Sequence, residues 1–221
     1  MSQAIGSIAI LGGTGALGGG LARRWSKAGF DVIIGSRTKE KAADAVIKLK
    51  EVLGDEIKVS ADDNVSAAKA ADLVVLTVPY AHHANTLSAV KAELQGKILI
   101  DVTVPLRPPK VGTVQLPEAG SAAQEAQALL GEEVKVVSAF QNVAADHLNS
   151  DREIDCDVLV AGNNKEARQL VVGLVEAAGM KGFSIGPVAN SAASEALTSV
   201  LIQINRQFKC HAGIKISGLP E

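Results

Sequence analysis

The chain has 221 residues, 47% of them hydrophobic, which is enough to bury one sizeable core and excludes a disordered chain. Lysine and arginine total 22 against 24 aspartate and glutamate, a formal charge of −2, and one Trp, one Tyr and four Phe are the only aromatic residues. With no basic surplus and few stacking rings, the composition argues against a nucleic-acid partner.

Residues 1–6 lack a charged leader, and the first apolar run, 8–11, stops at once in glycines, so no signal peptide is expected. No apolar run approaches the roughly 20 residues that span a bilayer. The expectation is a soluble, cytoplasmic protein with no membrane partner. Cys156 and Cys210 sit in no CxxC, so they are read as two buried, reduced thiols and not as a disulfide or a metal site.

Taken in chain order, short β-branched runs alternate with longer Ala-rich amphipathic stretches. Strand 7–11 leads to helix 17–28, strand 31–34 to helix 39–53, strand 57–60 to helix 63–70, and strand 73–78 to helix 84–93. Strand 98–102 precedes a loop at 106–110, where adjacent Pro108 and Pro109 forbid helix or central strand. Helix 119–130, strand 134–138, strand 158–161, helix 165–178 and an edge strand at 183–185 follow. Gly186-Pro187 precedes a last helix, about 189–211, with Ala193, Leu197, Val200, Leu201, Ile204 and Phe208 on one face. Strands alternating with helices imply βαβ units, and Leu73-Val74-Val75-Leu76 is apolar on both faces, as in a sheet covered on both sides. The fold class is α/β, a Rossmann-type doubly wound, mostly parallel sheet with a small C-terminal helical extension. Residues 1–221 read as a single domain, with 186–221 as its C-terminal helical extension.

The first strand runs into Gly12-Gly13-Thr14-Gly15-Ala16-Leu17-Gly18, which contains G-x-G-x-x-G at Gly13, Gly15 and Gly18. Glycines there permit a tight turn and a close backbone approach to a pyrophosphate, and the next helix points its N-terminus at that anion. The position between a strand and a helix gives the motif its weight; the competing reading is a glycine-rich turn with no ligand. Gly35 lies twenty positions after Gly15, where an NAD site carries a carboxylate for the ribose 2′-OH. This chain has Ser36-Arg37 instead, with Lys39 and Lys41 following. A guanidinium and a hydroxyl suit a 2′-phosphate, and two charge-assisted bonds of roughly 1.5–3 kcal/mol each favour NADP about a hundredfold or more. The alternative is a solvated cluster at a helix start.

These residues resemble the NADPH:coenzyme F420 oxidoreductases, small deazaflavin-dependent NADP reductases. The likeness rests on residues 8–18, on Gly35-Ser36-Arg37 with Glu40-Lys41-Ala42, and on Leu76-Thr77-Val78-Pro79-Tyr80 with His82. It continues through Val104-Pro105, Lys135-Val136-Val137-Ser138-Ala139, Gly186-Pro187 with Asn190-Ser191, Glu195-Ala196-Leu197-Thr198 and Gly213-Ile214-Lys215. The resemblance implies a homodimer that passes a hydride between C4 of the nicotinamide and C5 of the deazaflavin. It implies NADP(H) contacts at Thr14, Gly15, Ala16, Leu17, Ser36, Arg37 and Lys41, beside Gly13, and by position at Val78, His82, Val104 and Ala144. Coenzyme F420, as co-substrate, would lie near Gln141, Asn142, Val143 and Ala212. The chain departs from the family pattern at Gln141, where the family carries His, and at Ala192, where it carries Arg. Both departures fall on the acceptor side.

Hydride transfer between two flat rings needs little side-chain chemistry, because the cofactors supply the electronics and the protein supplies alignment. No catalytic side chain is therefore expected, and neither is a metal: His82-His83 lacks the i, i+4 spacing of a ligand pair. One of these histidines against the cofactor, or plain packing at a helix start, are the two readings of that pair. Gln141-Asn142 reads either as a ring-edge contact or, for Asn142, as a helix cap. His147 and His211 read as surface or helix-end residues, Asp62-Asp63 and Glu132-Glu133 as solvated turns. Cys210-His211 lacks the context of a catalytic thiol. The last helix either closes the core or forms a dimer seam and lid. Two other functions compete: an NADPH-dependent reductase of a flavin or of a small imine or ketone, and a non-catalytic NADP-sensing module. Imine and ketone reductases of this type carry a larger helical C-terminal domain than the residues after Gly186 provide.

Overall fold

The structure, a computed structural model, describes residues 6–219. Eight strands form one sheet: β1 (Ser7–Leu11), β2 (Asp31–Ser36), β3 (Val59–Asp63), β4 (Leu73–Leu76), β5 (Ile98–Asp101), β6 (Lys135–Ser138), β7 (Asp157–Gly162) and β8 (Lys181–Ser184). Their order is β3-β2-β1-β4-β5-β6-β7-β8. The first six run parallel, β7 joins β6 antiparallel, and β8 pairs parallel with β7. The helices are α1 (Ala16–Lys27), α2 (Lys39–Leu53), α3 (Asn64–Ala70), α4 (Tyr80–Val90), α5 (Ala122–Leu130), α6 (Ala145–Leu148), α7 (Lys165–Ala177) and α8 (Ser191–Phe208). The chain starts in mid-sheet, winds out to β3, then crosses to β4 on the other side of β1. That reversal opens a crevice at the carboxyl ends of the strands, where ligands bind in such sheets.

Alternation along each strand makes two cores. Ile8, Ile10, Val32, Ile34, Val75 and Ile100 face one layer with Leu21 and Trp25 of α1 and Val171 and Leu174 of α7. Leu11, Val74, Leu76, Leu99 and Val136 face the opposite layer, with Leu87 and Val90 of α4 and Ala123 and Ala126 of α5. Trp25 is fully buried, donates Nε1–H to the Leu174 carbonyl at 2.9 Å, and stands edge-on to Phe140 with ring centroids 5.8 Å apart. Apolar area buried in either layer stabilises the fold by on the order of 25 cal/mol per Å², which makes each strand's two-sided apolar pattern favourable.

Several boundaries differ from expectation, each for a local reason. β3 covers 59–63 and not 57–60, so Asp62 and Asp63 end a strand instead of forming a solvated turn. Asp63 then caps α3, its Oδ1 accepting from the Val65 and Ser66 N–H groups at 2.9 and 3.0 Å. β4 ends at Leu76, after which the Thr77 N–H and hydroxyl both donate to the Leu11 carbonyl at 2.9 Å, and α4 starts four residues early, directly after Pro79. α6, one turn long, was not foreseen. α8 runs 191–208 after a short 3₁₀ turn and ends at Lys209 in the left-handed region.

Two expectations about side chains are corrected. Cys156 is buried, but Cys210 is exposed, because it lies beyond the end of α8. The face α8 presents to the rest of the chain is mainly polar: Ser191, Ser194, Glu195 and Ser199 are buried, with Leu201. Of the predicted apolar stripe, Val200 and Phe208 are 46% and 65% exposed.

Candidate active site

The loop after β1 is stitched to its neighbours by backbone bonds. Gly13 N–H donates to the carbonyls of Ile10 and Gly35 at 3.1 and 3.0 Å, and Gly12 N–H to Asn64 Oδ1 at 3.3 Å. Gly12 has φ +74°, a conformation that favours glycine. At Gly18 a Cβ would meet Thr77 Oγ1 at 2.5 Å and the Gly13 Cα at 2.8 Å, so that glycine lets α1 sit hard against the loop. Gly15 is the N-cap of α1; no side chain caps this helix and no acid lies in its first turn. The N–H groups and partial positive charge of that helix end are therefore free for an anion.

Ser36 and Arg37 follow at the end of β2. Ser36 is buried, whereas Arg37 is exposed and forms no ion pair among the described residues. The nearby acids are engaged otherwise. Asp62 pairs with Lys39 at 3.3 Å, and Asp63, which also lines the cleft, is held below the usual carboxylate range by bonds from the Ser66 N–H and hydroxyl and the Val65 N–H. Lys41 lies exposed in the first turn of α2 and lines no part of the cleft.

A cleft of about 1080 Å³ opens over these groups. Thr14, Gly15, Ala16, Leu17, Ser36, Arg37, Val78, His82 and Val104 all line it, as do Thr77, Tyr80 and Thr103. Residues after β1, β2, β4 and β5 thus converge at the switch point. Gly13 faces a smaller pocket of about 420 Å³ between α1 and α2. The remaining candidates, Ala144, Gln141, Asn142, Val143 and Ala212, do not line the cleft. Gln141 donates Nε2–H to the Asp101 carbonyl at 2.8 Å; Asn142 caps no helix but donates Nδ2–H to the Ser194 carbonyl and Thr198 Oγ1 at 2.8 and 3.2 Å. Ala144 is the N-cap of α6, and Ala212 N–H donates to Asn205 Oδ1 at 2.6 Å. Gln141 and Asn142 thus tie the end of β6 to α8, while Val143, Ala144 and Ala212 are half-buried away from the cleft. His147 and His211 meet edge to face, ring centroids 5.3 Å apart.

The sequence reading missed a buried charged cluster beneath the cleft. His83 turns inward, away from His82, and its Nε2 lies 2.7 Å from Asp101 Oδ2, both side chains almost fully buried. Burial opposes protonation of His83, but the Asp101 carboxylate, with Glu125 and Glu195, outweighs it and raises the imidazole above its ordinary value. Glu195 is pushed up to about 8, chiefly by burial, against hydrogen bonds from the Ala122 and Ala123 N–H groups. Tyr80 donates to Glu125 at 2.9 Å and lies beneath the Arg107 guanidinium, 5.8 Å from the ring centroid. The one available signal was a lone Asp closing an apolar strand, Ile98–Asp101.

A doubly wound sheet with an uncapped helix behind a glycine loop, and a free arginine at the end of the second strand, defines a dinucleotide-binding α/β protein. Residues 7–105 match the family model described as "NADP oxidoreductase coenzyme F420-dependent". The F420-dependent NADP reductase of Methanocaldococcus jannaschii is 42% identical, over 96% of this chain and 98% of its own length. That of Methanothermobacter thermautotrophicus is 41% identical, over 97% and 96%. A crystal structure from Arthrobacter, a proposed F420-dependent NADP-reductase, superposes with a TM-score of 0.81 at 25% identity, covering 96% of this chain and 99% of that one. The chain belongs to the F420-dependent NADP reductase family.

Proposed function

We propose that this protein transfers a hydride between NADPH and the deazaflavin coenzyme F420, as a cytoplasmic homodimer whose described residues act as one NADP-binding unit. The observation that carries this reading is the pairing of the uncapped α1 N-terminus with the unpaired Arg37 across one cleft, in a chain of this family. The residues fit NADP(H). A Cβ at Gly15 would find only the Gly12 carbonyl within 4 Å, at 3.4 Å, so that side of the loop is open to a pyrophosphate. Ser36 and Arg37 supply a hydroxyl and a planar cation for the 2′-phosphate.

In this reading Gly13, Thr14, Gly15, Ala16 and Leu17 hold the pyrophosphate, with Lys41 adding charge at the 2′-phosphate. Val78, His82 and Val104 border the nicotinamide half, while Ala144, outside the cleft lining, keeps no role there. Gln141, Asn142, Val143 and Ala212, with residues 186–221, shape the acceptor side. The bound cofactors supply the hydride donor and acceptor carbons. The chain fixes their separation and keeps water out with small neutral walls such as Thr77, Val78 and Val104. No side chain need gain or lose a proton. The half-exposed apolar stripe of α8, Leu197, Val200, Ile204 and Phe208, supports a dimer seam, since a face that is apolar and uncovered is stabilised by a partner copy.

Steady-state turnover of NADPH with F420, FMN and a small cyclic imine in parallel tests this. Turnover with F420 at least about a hundredfold more efficient than with the others is expected, a margin of some 2.7 kcal/mol or about two decades. Preference for FMN or the imine would replace the proposal with a flavin or imine reductase, and NADPH binding without turnover of any acceptor with a sensing module.

A further inference from the structure

We propose that His83 and Asp101 are a positioning pair that holds the start of α4 and the exit of β5, two walls of the cleft's hydride-transfer end, in register, an inference that rests on the function proposed above. Four hydrogen bonds converge on Asp101. Its carboxylate meets His83 Nε2 at 2.7 Å and accepts from the Thr103 N–H at 3.0 Å. Its carbonyl accepts from Gln141 Nε2–H at 2.8 Å and from the Ala139 N–H at 3.3 Å. One residue therefore fixes the exit of β5, where Thr103 and Val104 line the cleft, and the exit of β6, where Gln141 and Asn142 hydrogen-bond to α8. Between Ala139 and Gln141 lies Phe140 at φ +71°, a left-handed conformation that is unfavourable for a bulky side chain and persists only where its surroundings hold it. Ala139 and Gln141, both bonded to Asp101, provide that hold from either side.

A buried ion pair contributes little net stability, because desolvation offsets the attraction; what it supplies is fixed geometry. Here the geometry matters, because a misplacement on the order of 1 Å at a reacting centre costs about a hundredfold in rate. His83 is adjacent to His82, which lines the cleft, so the pair also locks the start of α4 against the same wall. The groups facing His83 are Tyr80 on α4, Asp101 on β5, Glu125 on α5 and Glu195 on α8. When His83 loses its proton, Asp101 keeps a hydrogen bond but loses its counter-charge, and the carboxylates around it repel.

His83→Ala and His83→Gln separate positioning from folding, since Gln retains an N–H donor toward Asp101. Expected for His83→Ala is a fall of about a hundredfold in kcat with F420, while the NADPH dissociation constant measured without acceptor stays within about threefold. His83→Gln recovers kcat to within about tenfold and flattens the alkaline limb of the wild-type pH profile. In ¹⁵N spectra of the ligand-free protein, the Thr103 amide and the Gln141 side-chain amide shift in His83→Ala and hold in His83→Gln. Wild-type kcat in His83→Ala, or NADPH affinity falling in step with kcat in both variants, overturns the proposal. Should the wild type itself not oxidise NADPH with F420, the functional reading falls, and the two amide signals still decide positioning: unchanged signals in His83→Ala overturn it.

Discussion

The Glu195 carboxylate on α8 accepts a hydrogen bond from the Ala122 N–H at the start of α5, at 2.6 Å, so an acid on one helix caps another 73 residues away. The group is buried and its folded-state pKa stands at about 8 against an ordinary 4.5. Between those two values the folded state holds a proton that the unfolded state has lost. The stability this site contributes is full below the ordinary Glu range, falls as pH rises, and is lost above about 8. Thermal unfolding from about pH 5 to about pH 9 should show the wild-type Tm falling several degrees more than that of Glu195→Gln, whose amide oxygen still accepts from α5. Parallel curves for the two proteins would refute the assignment.

Arg37 offers a cation to the cleft and has no competing acid bonded to it. Arg37→Ala removes one charge-assisted contact worth roughly 1.5–3 kcal/mol, so NADPH affinity should drop about ten- to a hundredfold. NADH affinity should change by less than about threefold, because NADH carries no 2′-phosphate for Arg37 to hold. Fluorescence titration of both nucleotides checks this; equal losses remove the 2′-phosphate role.

Gly15 and Gly18 give opposite predictions from one loop. At Gly18 a Cβ collides with Thr77 Oγ1 and the Gly13 Cα, so Gly18→Ala should destabilise the fold by about 1–3 kcal/mol as well as weakening NADPH. At Gly15 φ is −76° and no protein atom lies within 3.4 Å of the added methyl, so Gly15→Ala should leave Tm unchanged or slightly raised. Its NADPH affinity should nevertheless fall at least about tenfold, since the methyl occupies space a pyrophosphate needs. Calorimetry and titration on the two variants separate these effects.

The stripe on α8 predicts the oligomer. Val200→Glu combined with Phe208→Glu places charges on the two most exposed apolar residues of that helix. Analytical ultracentrifugation should show the wild type at twice the chain mass and the variant at the single chain mass, with α8 still folded by circular dichroism. A wild-type protein sedimenting as a monomer would refute the dimer.

The glycine loop and its place beside Ser36 and Arg37 in one cleft were legible because the pattern is local: a strand, the glycine spacing, a helix and the end of the next strand lie within one βαβ unit. The contacts beyond β4 were not, because their partners are distant in the chain: His83 with Asp101, Gln141 with the Asp101 carbonyl, Glu195 with α5. Asn142 read as either a ring-edge contact or a cap; Ala144 holds the cap of α6, and Asn142 is drawn to Ser194 and Thr198 of α8. α8 read as an apolar-faced helix, and the face it buries is serine and glutamate, since polar partners on α5 and the strand ends are what it meets. Short elements such as α6 carry too few residues for a period to show.

Transfer of deuterium to F420 from NADPH carrying deuterium at both C4 positions tests the central claim most directly. Mass spectrometry of the reduced product should find one deuterium at C5 for each NADPH consumed, with none released to water. No consumption of NADPH in the presence of F420, or consumption with the label lost to solvent, would contradict direct hydride transfer on this chain.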